Sequence, residues 1–109
     1  MKPQFDSDAR DELLAAAEWY ERRGRPGLGA RFSADVELAL ERITEAPGAF
    51  MEMMRRNQVV VRRLMLRDFP FQIVFGVVSA PGGDELWIFA VAHLRREPFY
   101  SRTRVERPR

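Results

Sequence analysis

The chain has 109 residues, no cysteine, one histidine and a formal net charge of +2. This length is typical of one domain with a single core. Without cysteine, disulfides and cysteine-based metal or nucleophile sites are excluded, and we expect neither a metal ion nor a cofactor. The N-terminus lacks the apolar core of a signal peptide, and no apolar run reaches membrane-spanning length. We therefore expect a cytoplasmic protein that binds no membrane.

The small net charge hides a strong asymmetry between the two halves of the chain. Residues 1–54 carry 7 basic and 11 acidic side chains, whereas residues 55–109 carry 11 basic and 5 acidic ones. All but one of the 18 basic residues are arginine, whose planar guanidinium pairs bidentately with carboxylate or phosphate. The basic second half predicts an anionic partner, either nucleic acid or an acidic protein segment. The alternative is that these charges only solubilise the surface.

The first half of the chain predicts two amphipathic helices, preceded by a short edge strand over residues 2–5. Apolar residues recur at i, i+3 and i+4 spacing over 8–23, just after the helix-capping residue Asp6. A second helix is predicted over 28–46, between the Pro26-Gly27 turn and the helix-ending Pro47. Because the link between the helices is short, we expect an antiparallel helical hairpin.

Three strands are predicted next, over 59–66, 71–79 and 86–94, separated by Phe69-Pro70 and Pro81-Gly82-Gly83. A loop of Gly82-Gly83 or one over 81–84 gives the last two strands the same register. Under the helices this register pairs Ile73 with Ala92, Phe75 with Ala90, and Val77 with Ile88. On the opposite face it pairs Gln72 with His93, Val74 with Val91, Gly76 with Phe89, and Val78 with Trp87.

The predicted register has two consequences. Phe89 would cover the bare backbone of Gly76, and the face opposite the helices would carry His93, which makes that face the expected functional surface. A loop one residue longer or shorter would exchange the two faces.

Three other features leave alternatives open or set the domain boundary. Trp19 lies outside the apolar stripe of the first helix and would either wedge against the second helix or stay partly exposed. The Met-rich connector over 50–54 would either fill gaps in the core or form an adaptable docking surface. The basic stretch 103–109 has few apolar residues, so we predict one domain over 1–102 followed by a flexible tail.

In order and spacing, the chain resembles the RelE/ParE superfamily of type II toxins, most closely its ParE-like branch. The resemblance covers about residues 9–102, and the matching residues are Ala9, Glu12, Leu13, Ala16, Trp19, Tyr20, Glu21, Leu28, Gly29, Phe32, Ala39, Leu40, Ile43, Pro47, Arg62, Arg63, Phe69, Pro70, Phe71, Ile73, Phe75, Ala90, Val91, Ala92, His93, Arg96, Pro98, Tyr100 and Arg102. It implies an α+β fold in which an N-terminal antiparallel helical hairpin packs on one face of a small antiparallel β-sheet. The chain departs from the family pattern at Phe71, usually a tyrosine, and at Ser101, often a tryptophan.

The resemblance also implies a partner, a small cognate antitoxin that neutralises the toxin in a hetero-oligomeric complex. Such complexes often repress their own operon, so operator DNA would be bound only through the antitoxin. We expect an amphipathic, acidic segment of the antitoxin to lie in the groove of the helical hairpin, with strand addition at a sheet edge as a further contact. The antitoxin contacts are predicted at Trp19, Tyr20, Phe32 and Trp87.

The superfamily contains ribosome-dependent endoribonucleases (RelE-like) and DNA gyrase inhibitors without chemistry of their own (ParE-like). If this chain cleaves mRNA, His93 and Tyr100 are the expected proton carriers. Target or phosphate contacts are predicted at Arg62, Arg63, Arg95, Arg96 and Arg102. Alternatively, His93 caps a strand end and the arginines brace the last strand. Lys2 is the only lysine, so the lysine-rich set of the nuclease branches is absent.

Three hypotheses follow from the resemblance. The first is a ParE-like toxin that acts by binding a target such as DNA gyrase, and it is the one we favour. The second is a RelE-like mRNA endoribonuclease. The third is a non-toxic remnant whose only task is to bind its antitoxin.

Overall fold

The computed structural model describes residues 1–107, which form a pair of helices packed on a five-stranded sheet. In chain order the elements are β1 (Gln4–Phe5), α1 (Ser7–Arg23), α2 (Leu28–Glu45), a 3₁₀ turn (Pro47–Ala49), β2 (Met51–Arg56), β3 (Val59–Met65), β4 (Phe71–Ala80), β5 (Gly83–His93) and a C-terminal 3₁₀ helix (Arg102–Glu106). The strand order is β1-β5-β4-β3-β2, and every neighbouring pair is antiparallel except β1 with β5. The predicted α+β fold with its helical hairpin is confirmed. Within residues 1–107, no helix is long and apolar enough to cross a membrane.

Both ends of α1 are fixed by local hydrogen bonds. The Asp6 carboxylate accepts a hydrogen bond from the Asp8 backbone N–H at 2.9 Å, which caps the N-terminus. At the other end, the Gly24 N–H donates to the Tyr20 carbonyl at 2.8 Å. The observed helix agrees with the predicted span 8–23, but only Ala9 and Ala16 are buried. Most of α1 therefore remains at the surface, where it can form the wall of a binding site.

The helix α2 packs closely against α1 because residue 29 is glycine. A Cβ at Gly29 would lie 2.5 Å from the Ala17 carbonyl oxygen of α1, so a larger residue would push the helices apart. The Glu21 carboxylate of α1 accepts hydrogen bonds from the N–H groups of Gly27 and Gly29, both at 3.0 Å. These bonds tie the start of α2 to α1.

One face of the sheet forms the main core together with α2. The helix buries Phe32, Val36, Ala39 and Ile43. These side chains pack on residues from the inner strands and the β3–β4 connection, namely Leu64, Leu66, Phe69, Ile73, Phe75, Leu86, Ile88 and Val91. The apolar stripe that predicted this helix is therefore the stripe that holds the two layers together.

The predicted register of the β4–β5 hairpin is wrong. Pro81 and Gly82 form the turn and Ala80 pairs with Gly83, so near the turn the pairing is displaced by an even number of residues and the faces stay as predicted. Farther along, Val74 pairs with Ala90 while Phe75 pairs with Ile88, which leaves Phe89 as the extra residue of a β-bulge.

The bulge exchanges the faces of the last part of β5. Val91 belongs to the helix-side core, whereas Ala90 and Ala92 pack on the opposite side. His93 pairs with Phe71 and not with Gln72, so the expected functional face opposite the helices does not carry it. The prediction that Phe89 covers the backbone of Gly76 agrees with the structure, because a Cβ at residue 76 would lie 3.2 Å from the Phe89 ring.

The Met-rich segment is not a connector but an edge strand. β2 pairs with β3 from Met51 to Arg56, with an irregularity between Glu52 and Met54. Asn57 and Gln58 form the turn with φ of 50° and 64°, the left-handed conformation of tight hairpin turns. The sequence did not predict this strand because its turn lacks glycine and its charged residues are typical of a solvent-exposed edge.

The C-terminal residues return across the second face of the sheet. Val105 is buried among Val61, Val74 and Phe89, and the Arg107 guanidinium contacts the carboxylates of Asp6 and Asp8 at 2.9 and 2.6 Å. The predicted flexible tail is thus wrong for residues 103–107, which complete the fold beyond the predicted boundary at 102. Residues 108–109 of that tail lie outside the described residues.

Candidate functional site

A groove lies between α1 and the C-terminal end of β5. Its volume is about 680 Å³ and its surface is mostly apolar. Ala15, Ala16 and Phe71 contribute to its apolar lining. Its polar and aromatic lining residues are Glu12, Trp19, Tyr20, His93, Arg95, Arg96 and Tyr100. We call it the β5 groove.

One carboxylate joins the three segments that surround the β5 groove. Glu12 of α1 accepts a hydrogen bond from the Tyr100 hydroxyl at 2.6 Å and one from the Val91 backbone N–H at 3.1 Å. The Arg104 guanidinium pairs with the same carboxylate at 2.9 and 3.1 Å. We call Glu12, Tyr100 and Arg104 the Glu12 cluster. It locks helix, strand and C-terminal segment together at one point.

The Glu12 cluster also occupies backbone groups at the margin of the sheet. β1 pairs with β5 at Trp87 and Ile88, and no strand among residues 1–107 lies beside the next residues of β5 on that side. There the Val91 N–H donates to Glu12, and the Phe89 carbonyl accepts from Arg104 at 2.9 Å. Side chains thus satisfy polar groups that an open edge would otherwise leave to water or to another chain.

Tyr100 is held as a neutral phenol. Burial, and then the hydrogen bond to the Glu12 carboxylate, raise the pKa of the Tyr100 hydroxyl well above its ordinary value, because a phenolate would be poorly solvated and repelled by Glu12. The Arg96 guanidinium stacks on the Tyr100 ring, 3.9 Å from its centre, and Arg104 lies 5.1 Å from it. These contacts immobilise the ring as well as its hydroxyl.

An alkaline titration tests the state of both tyrosines. Burial raises the pKa of Tyr20 as well, and the chain has only two tyrosines. We expect near-ultraviolet absorbance to show little phenolate at pH about 10, where the urea-unfolded chain is half ionised. Because the folded state holds these protons more tightly, the corresponding stability is complete below pH about 10 and is lost as the pH rises further. Half ionisation of the folded protein near pH 10 would contradict this assignment.

His93 has one ring nitrogen engaged in a local hydrogen bond. Its Nδ1 accepts from the Arg95 backbone N–H at 3.0 Å, and its carbonyl accepts from the Arg96 N–H. The imidazole meets the Phe71 ring edge-on at 5.2 Å. With Nδ1 as acceptor, the neutral ring carries its proton on Nε2. His93 is half-buried and lines the groove, so it both caps the strand end and faces the site.

The five predicted arginines do not form one cluster. Arg95 and Arg96 line the β5 groove, whereas Arg102 is exposed and donates to the Phe99 carbonyl at 3.1 Å. Arg62 donates to the Phe50 carbonyl at 2.8 Å, and Arg63 to the Gln72 side chain at 3.2 Å. Neither lines the groove, and as neighbours on β3 they point to opposite faces of the sheet. Arg62 and Arg63 therefore brace the β2–β3 side.

The four predicted antitoxin contacts are also spread over the molecule. Trp19 is 52% exposed and lies on the groove, so it does not wedge against α2. Tyr20 is half-buried and lines the same groove. Phe32 is completely buried and is not available for a surface contact. Trp87 is half-buried on the second face, with its indole N–H donating to Glu85 at 3.2 Å.

The residues that sequence reasoning missed are Glu12 and Arg104. Glu12 was part of the resemblance but had no assigned role, and Arg104 was assigned to the flexible tail. No local pattern connects them, because they lie at opposite ends of the chain and meet only when the C-terminal segment folds back.

Among residues 1–107, no group of three or more metal-ligating side chains is close enough together to hold an ion. Comparisons with known proteins add no assignment, since no protein-family model matches the sequence and no curated protein is significantly similar to it.

Proposed function

We propose that this protein is the toxin of a type II toxin–antitoxin module in the cytoplasm, similar to ParE-like toxins, and that it binds a target such as DNA gyrase without cleaving RNA. The single observation that carries the non-catalytic assignment is the Tyr100–Glu12 hydrogen bond of 2.6 Å. Tyr100 was the expected second proton carrier. Its hydroxyl instead belongs to the Glu12 cluster.

General acid–base catalysis needs groups that exchange protons near neutral pH. Tyr100 does not meet this requirement, because its raised pKa and its bond to Glu12 keep the proton in place. That leaves His93 as the one imidazole of the chain, with Nδ1 already bonded to the Arg95 N–H. A function that consists only of binding needs no second proton carrier.

The β5 groove supports neutralisation by an antitoxin segment. Trp19 offers a large exposed aromatic surface beside apolar residues of α1, and Arg95 and Arg96 add positive charge. An amphipathic segment with acidic residues would match both properties. Strand addition is disfavoured at Val91, because Glu12 already occupies its N–H. We therefore propose that the antitoxin binds in the β5 groove mainly through side chains.

Growth after induction tests the proposal. We expect the chain to arrest growth without antitoxin and, when purified, to block supercoiling by gyrase or to cause accumulation of cleaved DNA. The double variant His93→Ala, Tyr100→Phe should still arrest growth, provided that its soluble level is matched. Matching is needed because loss of the Tyr100 bond to a carboxylate should lower the free energy of unfolding by about 1.5–3 kcal/mol. Unaffected gyrase at high toxin excess would count against the gyrase target, and normal growth would favour the non-toxic remnant.

A second candidate function is ribosome-dependent mRNA cleavage. It is favoured by the arrangement of His93, Arg95 and Arg96 along one groove, which would place a titratable group beside phosphate-binding cations. Toe-printing on translating ribosomes would then reveal cuts that disappear in His93→Ala. Full activity of the His93→Ala, Tyr100→Phe variant would exclude these residues as the cleavage site.

A further inference from the structure

The connection between β5 and the C-terminal 3₁₀ helix carries an exposed aromatic side chain. All eight phenylalanines of the chain lie within the described residues, and Phe99 is the only one that is exposed, at 41%. Leu94, at the start of the same connection, is exposed as well. We call residues 94–102 the C-terminal loop.

The backbone conformation of residue 99 is unfavourable for a phenylalanine. Its φ is 67°, in the left-handed region that glycine and asparagine adopt readily and bulky residues avoid. A phenylalanine that keeps 41% of its surface exposed forgoes much of the burial available to this side chain, and the positive φ is unfavourable for its backbone. Folding alone would be served better by a small or polar residue at position 99, so the side chain points to a role outside the fold.

The surroundings of Phe99 are positively charged and held in place. Arg95, Arg96 and Arg102 are exposed on the same loop, against the single acid Glu97. Arg96 rests on the Tyr100 ring, and Arg102 donates to the Phe99 carbonyl. Tyr100 in turn is fixed by the Glu12 cluster. The loop therefore presents apolar side chains and guanidinium groups from a braced backbone, which lowers the entropic cost of binding.

We infer that the C-terminal loop is the surface that contacts the target, and that its partner is an acidic protein surface whose apolar side chains cover Phe99. Phenylalanine and arginine are enriched in protein interfaces, where a few buried anchors carry most of the binding energy. The fixed guanidinium groups suit bidentate pairing with carboxylates. The inference rests on the proposed function for the statement that the partner is a target protein, and it assigns that contact to a surface other than the apolar wall of the β5 groove.

A peptide titration tests the surface without depending on toxicity. The probe is a soluble peptide of repeating Glu-Glu-Leu-Gly units, added to the isotope-labelled full chain and followed by NMR. We expect shifts centred on residues 94–102 that weaken with added salt, and about tenfold weaker binding in Phe99→Asn. The matched control is Leu38→Gln, which removes an exposed leucine from α2 and should leave the affinity unchanged.

Two further measurements distinguish binding of an acidic protein from a structural role of Phe99 and from binding of DNA or lipid. Phe99→Asn should not lower the thermal unfolding midpoint, because asparagine tolerates the φ of residue 99; a large drop would make Phe99 structural and overturn the inference. Duplex DNA or anionic lipid vesicles that perturb the loop at lower concentration than the peptide would also overturn it. The inference would also be overturned if the peptide shifted resonances outside residues 94–102 and the Phe99→Asn variant showed the same shifts.

The growth assay separates this inference from the proposed function. If the wild type arrests growth, Phe99→Asn should relieve the arrest while Leu38→Gln should not, and equal arrest by all three would overturn the loop assignment. If the wild type does not arrest growth, the toxin proposal fails, but the peptide titration still decides whether the loop binds acidic protein segments.

Discussion

Replacement of Glu12 by alanine is expected to lower the free energy of unfolding by about 3 kcal/mol, at the lower end of the range for breaking a buried ion pair. The substitution leaves the Arg104 guanidinium without its carboxylate and the Val91 N–H without its acceptor. The side chains of Glu12 and Arg104 are only 19% and 11% exposed, so water replaces these bonds poorly. Chemical denaturation followed by circular dichroism measures the loss.

The same helix offers a matched control for this experiment. Glu18 pairs with Arg22 on α1, but both side chains are well exposed, and Glu18→Ala should cost no more than about 0.5 kcal/mol. The loss of unfolding free energy in Glu12→Gln should lie between those of Glu12→Ala and Glu18→Ala. The amide oxygen of glutamine can still accept the hydrogen bond from the Val91 N–H, but the negative charge opposite Arg104 is lost. If Glu12→Ala proves as mild as Glu18→Ala, the Glu12 cluster does not hold the C-terminal segment.

Phe32→Ala is expected to cost about 3–5 kcal/mol, the usual range for truncating a buried phenylalanine. Phe32 is completely buried, and its ring lies 5.3 Å from Tyr20, 5.2 Å from Phe69 and 5.0 Å from Phe71. Alanine would leave a cavity where α2 meets the sheet. Urea denaturation should show the loss directly, as a lower midpoint with an unchanged slope.

Trp19→Ala is the companion of Phe32→Ala, because both positions were predicted to contact the antitoxin. Trp19 is half exposed on the β5 groove, so its removal should change the free energy of unfolding by about 0.5 kcal/mol or less and should weaken the proposed binding of an antitoxin. A stable Phe32→Ala variant with specifically impaired antitoxin binding would contradict the burial of this ring.

The helices were predictable because their signals are local. Asp6 marks the start of α1, Gly24 its end, and Pro47 follows α2, and an apolar stripe of period 3.6 runs between such signals. The register of β4 and β5 was not predictable, because it depends on two small choices. Pro81-Gly82 forms the turn in place of Gly82-Gly83, and the chain bulges at Phe89. Each displaces the pairing, and the bulge alone reverses the faces beyond it.

The candidate site was predictable in part, for a related reason. His93, Arg95, Arg96 and Tyr100 lie close together in the chain, so their meeting at one groove needed only a strand that ends there. The role of Glu12 depended on the C-terminal segment folding back across the sheet. The sequence of residues 103–107 does not predict this return, because the segment is short and basic and has few apolar residues. Its ion-pair partners are acidic residues at the other end of the chain.

The occupied margin beside β5 also bears on self-assembly. A cross-β fibre grows when each copy offers a free strand on both flanks of its sheet. Here an incoming strand beside residues 89–91 of β5 would have to displace the Glu12 carboxylate and the Arg104 guanidinium before it could bond to β5 there. The ion pair of Glu12 and Arg104 therefore works against continuous strand-by-strand stacking on the β5 flank.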